Sequence, residues 1–145
     1  MKFYLFISIA ISIIFVGCSS PAQAPIPTLN AYCPILEVST ANKLIQSNWS
    51  EFQDEVNIAD NAPRISLPPI IEKLQSIRSN SLSIIVPKCM ETMKQFMIET
   101  YNAAISAFLN FMGGAEADTS QVKIYVQKFT DEANRLADCI PNCHP

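Results

Sequence analysis

Apolar residues recur at three- and four-residue intervals through most of this chain, the period of an amphipathic α-helix. The first such stripe follows Pro34, a residue suited to a first helical turn. It runs Ile35, Val38, Ala41, Ile45, Trp49, Phe52, Val56 and Ala59. Residues 57–69 carry Asn61, Pro63, Pro68 and Pro69 and read as a connection. Ser66 is the expected N-cap of a second helix with the prolines in its first turn. Its stripe is Ile70, Leu74 and Ile77, with Ile71 beside it, fading across Ser79-Asn80-Ser81. Ile84-Ile85-Val86 before Pro87 reads as a last irregular turn or a short extended piece.

The third stripe is the strongest. From Lys88 it runs Met90, Met93, Met97, Tyr101, Ala104, Ile105, Phe108, Phe111 and Met112, and Gly113-Gly114 closes it as a C-cap. The fourth opens at Asp118 or Thr119 as cap. It continues through Val122, Tyr125, Val126, Phe129, Ala133, Leu136 and Ile140 and stops at Pro141. No segment shows the alternation of a half-buried strand. Each stripe is too narrow to be buried unless the others cover it, so the pattern predicts an all-α fold, a four-helix up-down bundle.

The N-terminus follows another pattern. Lys2 precedes a nearly unbroken apolar run from Phe3 to Val16, short for a bilayer span and flanked as an export signal is. Phe15-Val16-Gly17-Cys18-Ser19 then resembles the bacterial lipobox. The resemblance covers about the first twenty residues. It implies cleavage before Cys18, acylation of the Cys18 thiol and often of the new amino group, and, through Ser19, sorting to an outer membrane where the host has one. Phe15 stands where leucine is usual. Two or three acyl chains, at about 0.8 kcal/mol per buried methylene, anchor a protein stably where one chain does not. Pro21, Pro25 and Pro27 lie among small residues up to Ala31, an extended tether. The expected organisation is a signal peptide over 1–17, a tether over 18–31 and a helical domain over 32–145.

Composition sharpens the picture. With 145 residues the chain holds one domain. Hydrophobic residues make up 49 %, too many for a chain disordered throughout. The net charge of −3, about −4 once Lys2 leaves with the signal, excludes a nucleic-acid binder built on a basic field. Three glycines leave little material for phosphate-cradling loops, and no Gly-x-Ser-x-Gly, His-Glu-x-x-His or P-loop motif occurs. The acids Glu51, Asp54 and Glu55 read as a solvated helix face, Lys73 and Arg78 as scattered surface charges, and Asn48-Trp49-Ser50 as an accidental glycosylation sequon. An enzyme is not expected, nor a bound cofactor.

Apart from Cys18, the cysteines are Cys33, Cys89, Cys139 and Cys143, an even number in an exported chain. In an up-down bundle the starts of the first and third helices and the end of the fourth share one pole. All of these cysteines fall there, so two disulfides are expected at that pole. The preferred pairing is Cys89 with Cys139 and Cys33 with Cys143.

Two other constellations have a second reading. The tail Cys139-Ile140-Pro141-Asn142-Cys143-His144 resembles a c-type haem attachment motif widened by one residue, and the cytochrome c-prime family places such a motif near the end of a four-helix bundle. That likeness implies thioether bonds at Cys139 and Cys143 and iron ligation by His144. The wider spacing, Pro141 inside the motif and the single residue after His144 favour disulfides instead. Met90, Met93 and Met97 put three thioethers on one helix face, as a Cu(I) site would. A core-filling role is the alternative. The expected function is that of an extracytoplasmic lipoprotein, a binding or structural module of the cell envelope at the outer membrane or cell surface. Its partners would be the membrane, through its lipid, and another envelope protein; a small haem or copper carrier is the alternative.

Overall fold

The computed structural model describes the backbone of residues 35–139 and the side chains of residues 36–138. The chain divides into two units, Met1–Asn30 and Ala31–Pro145, and every described residue lies in the second. The expected signal peptide, tether and lipid site at Cys18, together with Cys33, Cys143 and His144, lie outside the described residues, as does the side chain of Cys139.

The described residues are all-α. Four helices, α1 (Ile35–Asn61), α2 (Leu67–Ser83), α3 (Glu91–Met112) and α4 (Ser120–Cys139), are joined by connections that include 3-10 turns at Arg64–Ser66 and Lys88–Met90. No strand occurs among the described residues. Helices that follow one another in sequence pack together, and α1 also touches α3. The side-chain registers give the directions. Along α1, Asn48 meets Ile77 of α2 and Glu51 meets Lys73, so partners recede along α2 as they advance along α1. Arg78 meets Asn102 of α3, while Lys94 meets Leu82 and Ile84, which makes α2 and α3 antiparallel too.

The core follows the stripes. Val38, Ile45, Phe52 and Val56 of α1 are buried against Leu74 and Ile77 of α2 and against α3, whose Met97 and Tyr101 are fully buried. Small residues, Ala41, Ala59 and Ala104, let the backbones approach. In α2 the buried face differs from the expected one. Leu67 and Ile71 go inside with Leu74 and Ile77, at four- and three-residue spacing, and Ile70 stays half-buried at the edge of that face. Ser81, where the stripe faded, is also fully buried. Its hydroxyl donates to Arg78 O at 2.6 Å, so its polarity is satisfied within its own helix.

The helix ends show how local sequence sets boundaries. Pro68 and Pro69 occupy the first positions of α2, where a missing N–H costs nothing. Ser66 stands at the N-cap position but makes no side-chain cap bond; its backbone is already helical, at the end of the 3-10 turn that leads in. Ile84 is extended, with ψ of 117°, and ends α2. The Lys94 ammonium then donates to Leu82 O at 2.8 Å and to Ile84 O at 2.6 Å, a cation on the carbonyl end of the helix. At the start of α4 the Asp118 carboxylate accepts from Ser120 N–H at 2.9 Å, and hydrogen bonding from the Ser120 side chain first, then from its backbone, holds the Asp118 pKa below the ordinary carboxylate value.

The end of α3 is a Schellman motif. Ala115 N–H donates to Asn110 O and Gly114 N–H to Phe111 O, and Gly114 takes the left-handed conformation with φ of 94°. Gly113 keeps helical angles, φ −72° and ψ 0°, so only the second glycine is required by the backbone. A Cβ at Gly114 would touch nothing within 4 Å. Gly114→Ala should therefore cost about 1–2 kcal/mol through φ alone. Gly113→Ala should be neutral or mildly stabilising. Urea denaturation of the two variants checks this, and equal effects would remove the distinction.

Candidate functional site

Three regions of the domain concentrate chemistry: a polar and aromatic centre, the third-helix methionines with the neighbouring cysteine, and an apolar end of the molecule.

The centre is organised by Tyr101. Its ring stacks on Phe52 with centroids 3.8 Å apart and lies 5.8 Å from Trp49, which itself stacks on Phe129 of α4 at 4.6 Å. This aromatic series links α3, α1 and α4. The Tyr101 hydroxyl donates to Asn48 Oδ1 at 2.9 Å, and Asn48 Nδ2 donates to Ile77 O at 3.2 Å, so one hydrogen-bonded chain crosses three helices. Burial, with a smaller contribution from the charge of Glu51, raises the phenol pKa far above its ordinary value. The hydroxyl thus stays protonated and donates; it has no route to acid–base work with solvent.

Asn48 is the residue that sequence reasoning passed over. It lies between Ile45 and Phe52 on the stripe side of α1, one position before Trp49, and its type hides its burial. Its burial and its bond to Ile77 O leave its amide unavailable to a glycan in the folded domain.

The surface charges divide. Glu51 and Lys73 form an exposed ion pair at 2.5 Å, and such a pair is worth little. Asp54 is exposed and Glu55 half-buried, as a solvated face would place them. Arg78 is a correction to its reading as a surface charge. It is half-buried, with Nη1 on Asn102 Oδ1 at 2.9 Å and Nε buried without a hydrogen-bond partner, because α3 packs over it.

The acid that departs most from its ordinary behaviour is Asp60, half-buried in the last turn of α1, a turn with no basic residue. Burial lifts its pKa from 3.8 to about 6. The folded chain therefore holds this proton more tightly than the unfolded one. The resulting stabilisation is complete below about pH 4 and is lost as pH rises through about 6. Asp60→Asn should remove this dependence and gain about 1 kcal/mol at pH 7, a figure reduced for the solvent that reaches the group. Urea denaturation at pH 4.5 and pH 7 reads it out. A variant that keeps the wild-type pH slope would contradict the assignment.

Met90, Met93 and Met97 do share one face, and all three are buried in the hydrophobic core with Tyr101 and Ile105. Thioethers packed in this way fill the interior. Among the described residues no group of three or more His, Cys, Asp or Glu is placed to hold a metal ion. Cys89, in the 3-10 turn before α3, is half-buried against the core and disulfide-bonded. No other cysteine side chain is among those described, and the pairing is taken up below.

The apolar end lies where α1 begins and α2 gives way to α3. A groove of about 370 Å³ is lined by Leu36, Thr40 and Leu44 of α1 together with Ile85, Val86 and Pro87. A second of about 410 Å³ is lined by Leu82, Ile85, Val86, Lys94 and Ile98. Leu36 and Leu44 lie off the main α1 stripe. Their signal in the sequence was a short second stripe, Leu36-Thr40-Leu44, at four-residue spacing.

No helix among the described residues is long and apolar enough to cross a membrane. Comparison with protein-family models, with curated protein sequences and with solved structures finds no match to this chain.

Proposed function

We propose that this chain is a lipid-anchored helical module of the cell envelope, held on the extracytoplasmic side through Cys18, at an outer membrane or cell surface. It acts by binding or as a structural part, and its partner is another envelope protein. The observation that carries this reading is the run Gly17-Cys18-Ser19 at the end of an apolar segment, set apart by a proline-bearing stretch from a unit that begins at Ala31. Acylation at Cys18 gives the membrane hold, and the tether gives the domain reach. Metabolic labelling with alkyne-bearing palmitate tests it. The wild type should be tagged and Cys18→Ala should not; a labelled alanine variant overturns the anchor.

The finer architecture belongs to the same proposal. The antiparallel registers of α1 with α2 and of α2 with α3 support an up-down bundle. So does Lys128 of α4, whose ammonium stands 5.7 Å from the Phe96 ring of α3. If α4 runs back along α3 from that point, its last turn reaches the 3-10 turn that holds Cys89. This supports a bridge from Cys89 to Cys139. Leu36 and Pro87 line one groove, which brings the start of α1 to the same end and supports a second bridge from Cys33 to Cys143. Two bridges at one pole would hold the chain ends of a small exported domain against fraying.

A further inference from the structure

We infer that the apolar end formed by Leu36, Leu44, Leu82 and Ile85 is a membrane-contacting face that seats in the interfacial layer of a neutral, zwitterionic bilayer. The inference rests on the lipid-anchor reading above and adds to it which end of the domain meets the lipid. Exposed leucines scattered singly need no explanation. These four are not scattered. They border two grooves that share Ile85 and Val86, so apolar side chains recur from α1 across the connection to α2, with Glu37, Thr40, Glu91 and Gln95 among them. Leu36 is 81 % exposed and Ile85 89 %, with Leu44 and Leu82 at 50 % and 54 %.

Some of the polar groups at this end are satisfied from within. The Lys94 ammonium is committed to Leu82 O and Ile84 O, and the Thr40 hydroxyl donates to Leu36 O at 3.1 Å. No backbone hydrogen bond joins Ile85 or Val86 to another described residue, so the face seats at headgroup depth, where water and lipid oxygens reach those groups. Glu37, Glu91 and Lys94 line the grooves and Lys88 adjoins them in sequence, two acids against two bases, so the local balance gives anionic lipid no attraction.

The position of the tether selects the occupant. Leu36 is the second residue of α1, so the chain that leads back to Cys18 joins the domain at this end. The 16 residues between Cys18 and Ile35 reach at most about 50 Å. The tether thus enters the domain beside the apolar end. A contact too weak to bind from solution becomes populated once the tether makes it intramolecular. Ile65, exposed to 88 %, lies beyond the far end of the 27-residue α1 and serves as the control.

Tryptophan placed at each site reports lipid contact. Full-length Leu36→Trp, Ile85→Trp and Ile65→Trp would be reconstituted in phosphatidylcholine vesicles containing a dibrominated phosphatidylcholine. The wild type supplies the Trp49 background, and matching circular dichroism shows that each variant is folded. Quenching at positions 36 and 85 should exceed that at 65 at least threefold. Equal quenching at all three positions, with the protein floating on the vesicles, overturns the inference and leaves the anchor standing. Lipid-independent emission shifts at positions 36 and 85 that grow with protein concentration, without bromine quenching, assign the face to a second copy and overturn it as well. Failure of the wild type to float with the vesicles overturns the anchor and the inference together.

Discussion

Asn48→Ala should cost about 3 kcal/mol, because it removes a buried side chain and strands the Tyr101 hydroxyl in the core without an acceptor. Tyr101 is fully buried, its ring stacked on Phe52, so water cannot replace the lost partner without opening the packing. Tyr101→Phe should cost less, about 1 kcal/mol, since Asn48 keeps its bond to Ile77 O. In the double variant the stranded hydroxyl no longer exists, and its cost should fall short of the sum of the two by about 1 kcal/mol or more. Denaturant unfolding of the three proteins closes the cycle. Additivity within about 0.5 kcal/mol would mean that the two side chains are neighbours without being coupled.

Loss of the Cys89 bridge should have an effect of the same order or larger. Removing a native disulfide from a small exported domain costs about 2–5 kcal/mol, a large share of the ~5–15 kcal/mol that such a domain has. Cys89→Ser should lower the melting temperature by about 10 °C or more. Reduction of the wild type should do the same, with much of the helical circular dichroism retained, because the core of α1, α2 and α3 does not depend on the bridge. Mass mapping of non-reduced peptides identifies the partner, expected to be Cys139, with Cys33 joined to Cys143. Four alkylatable thiols, or thioether adducts on Cys139 and Cys143, would defeat the staple and turn attention to the haem reading of the tail.

Both predictions rest on positions that differ in how legible they were. Cys89 announced itself by type and by its place at the start of a periodic segment. Asn48 did not, because an asparagine inside an apolar stripe looks the same whether its amide faces water or a tyrosine on another helix. Ser81 was hidden for the same reason, its hydroxyl being satisfied by Arg78 O in its own helix. Arg78 was misread because charge alone says nothing about the helix that packs over it. At the apolar end, Leu36 and Leu44 stand off the longer stripe and were not singled out by it. They join Ile85, some forty residues further along the chain, only once α1 has packed beside the connection.

By itself the sequence determined the number of helices, their breaks and most of the core. The reason is that these are short-range matters: the 3.6-residue period selects the buried face, proline excludes itself from helix interiors, and glycine supplies the left-handed angle that ends α3. Tertiary structure alone decided which face of α2 turns inward, that Tyr101 finds its acceptor on α1, that Asp60 is pushed towards neutrality and that two grooves meet at Ile85. Each of these depends on which atoms a neighbouring helix brings within a few ångströms, and hydrophobic periodicity carries no information about the partner that covers it.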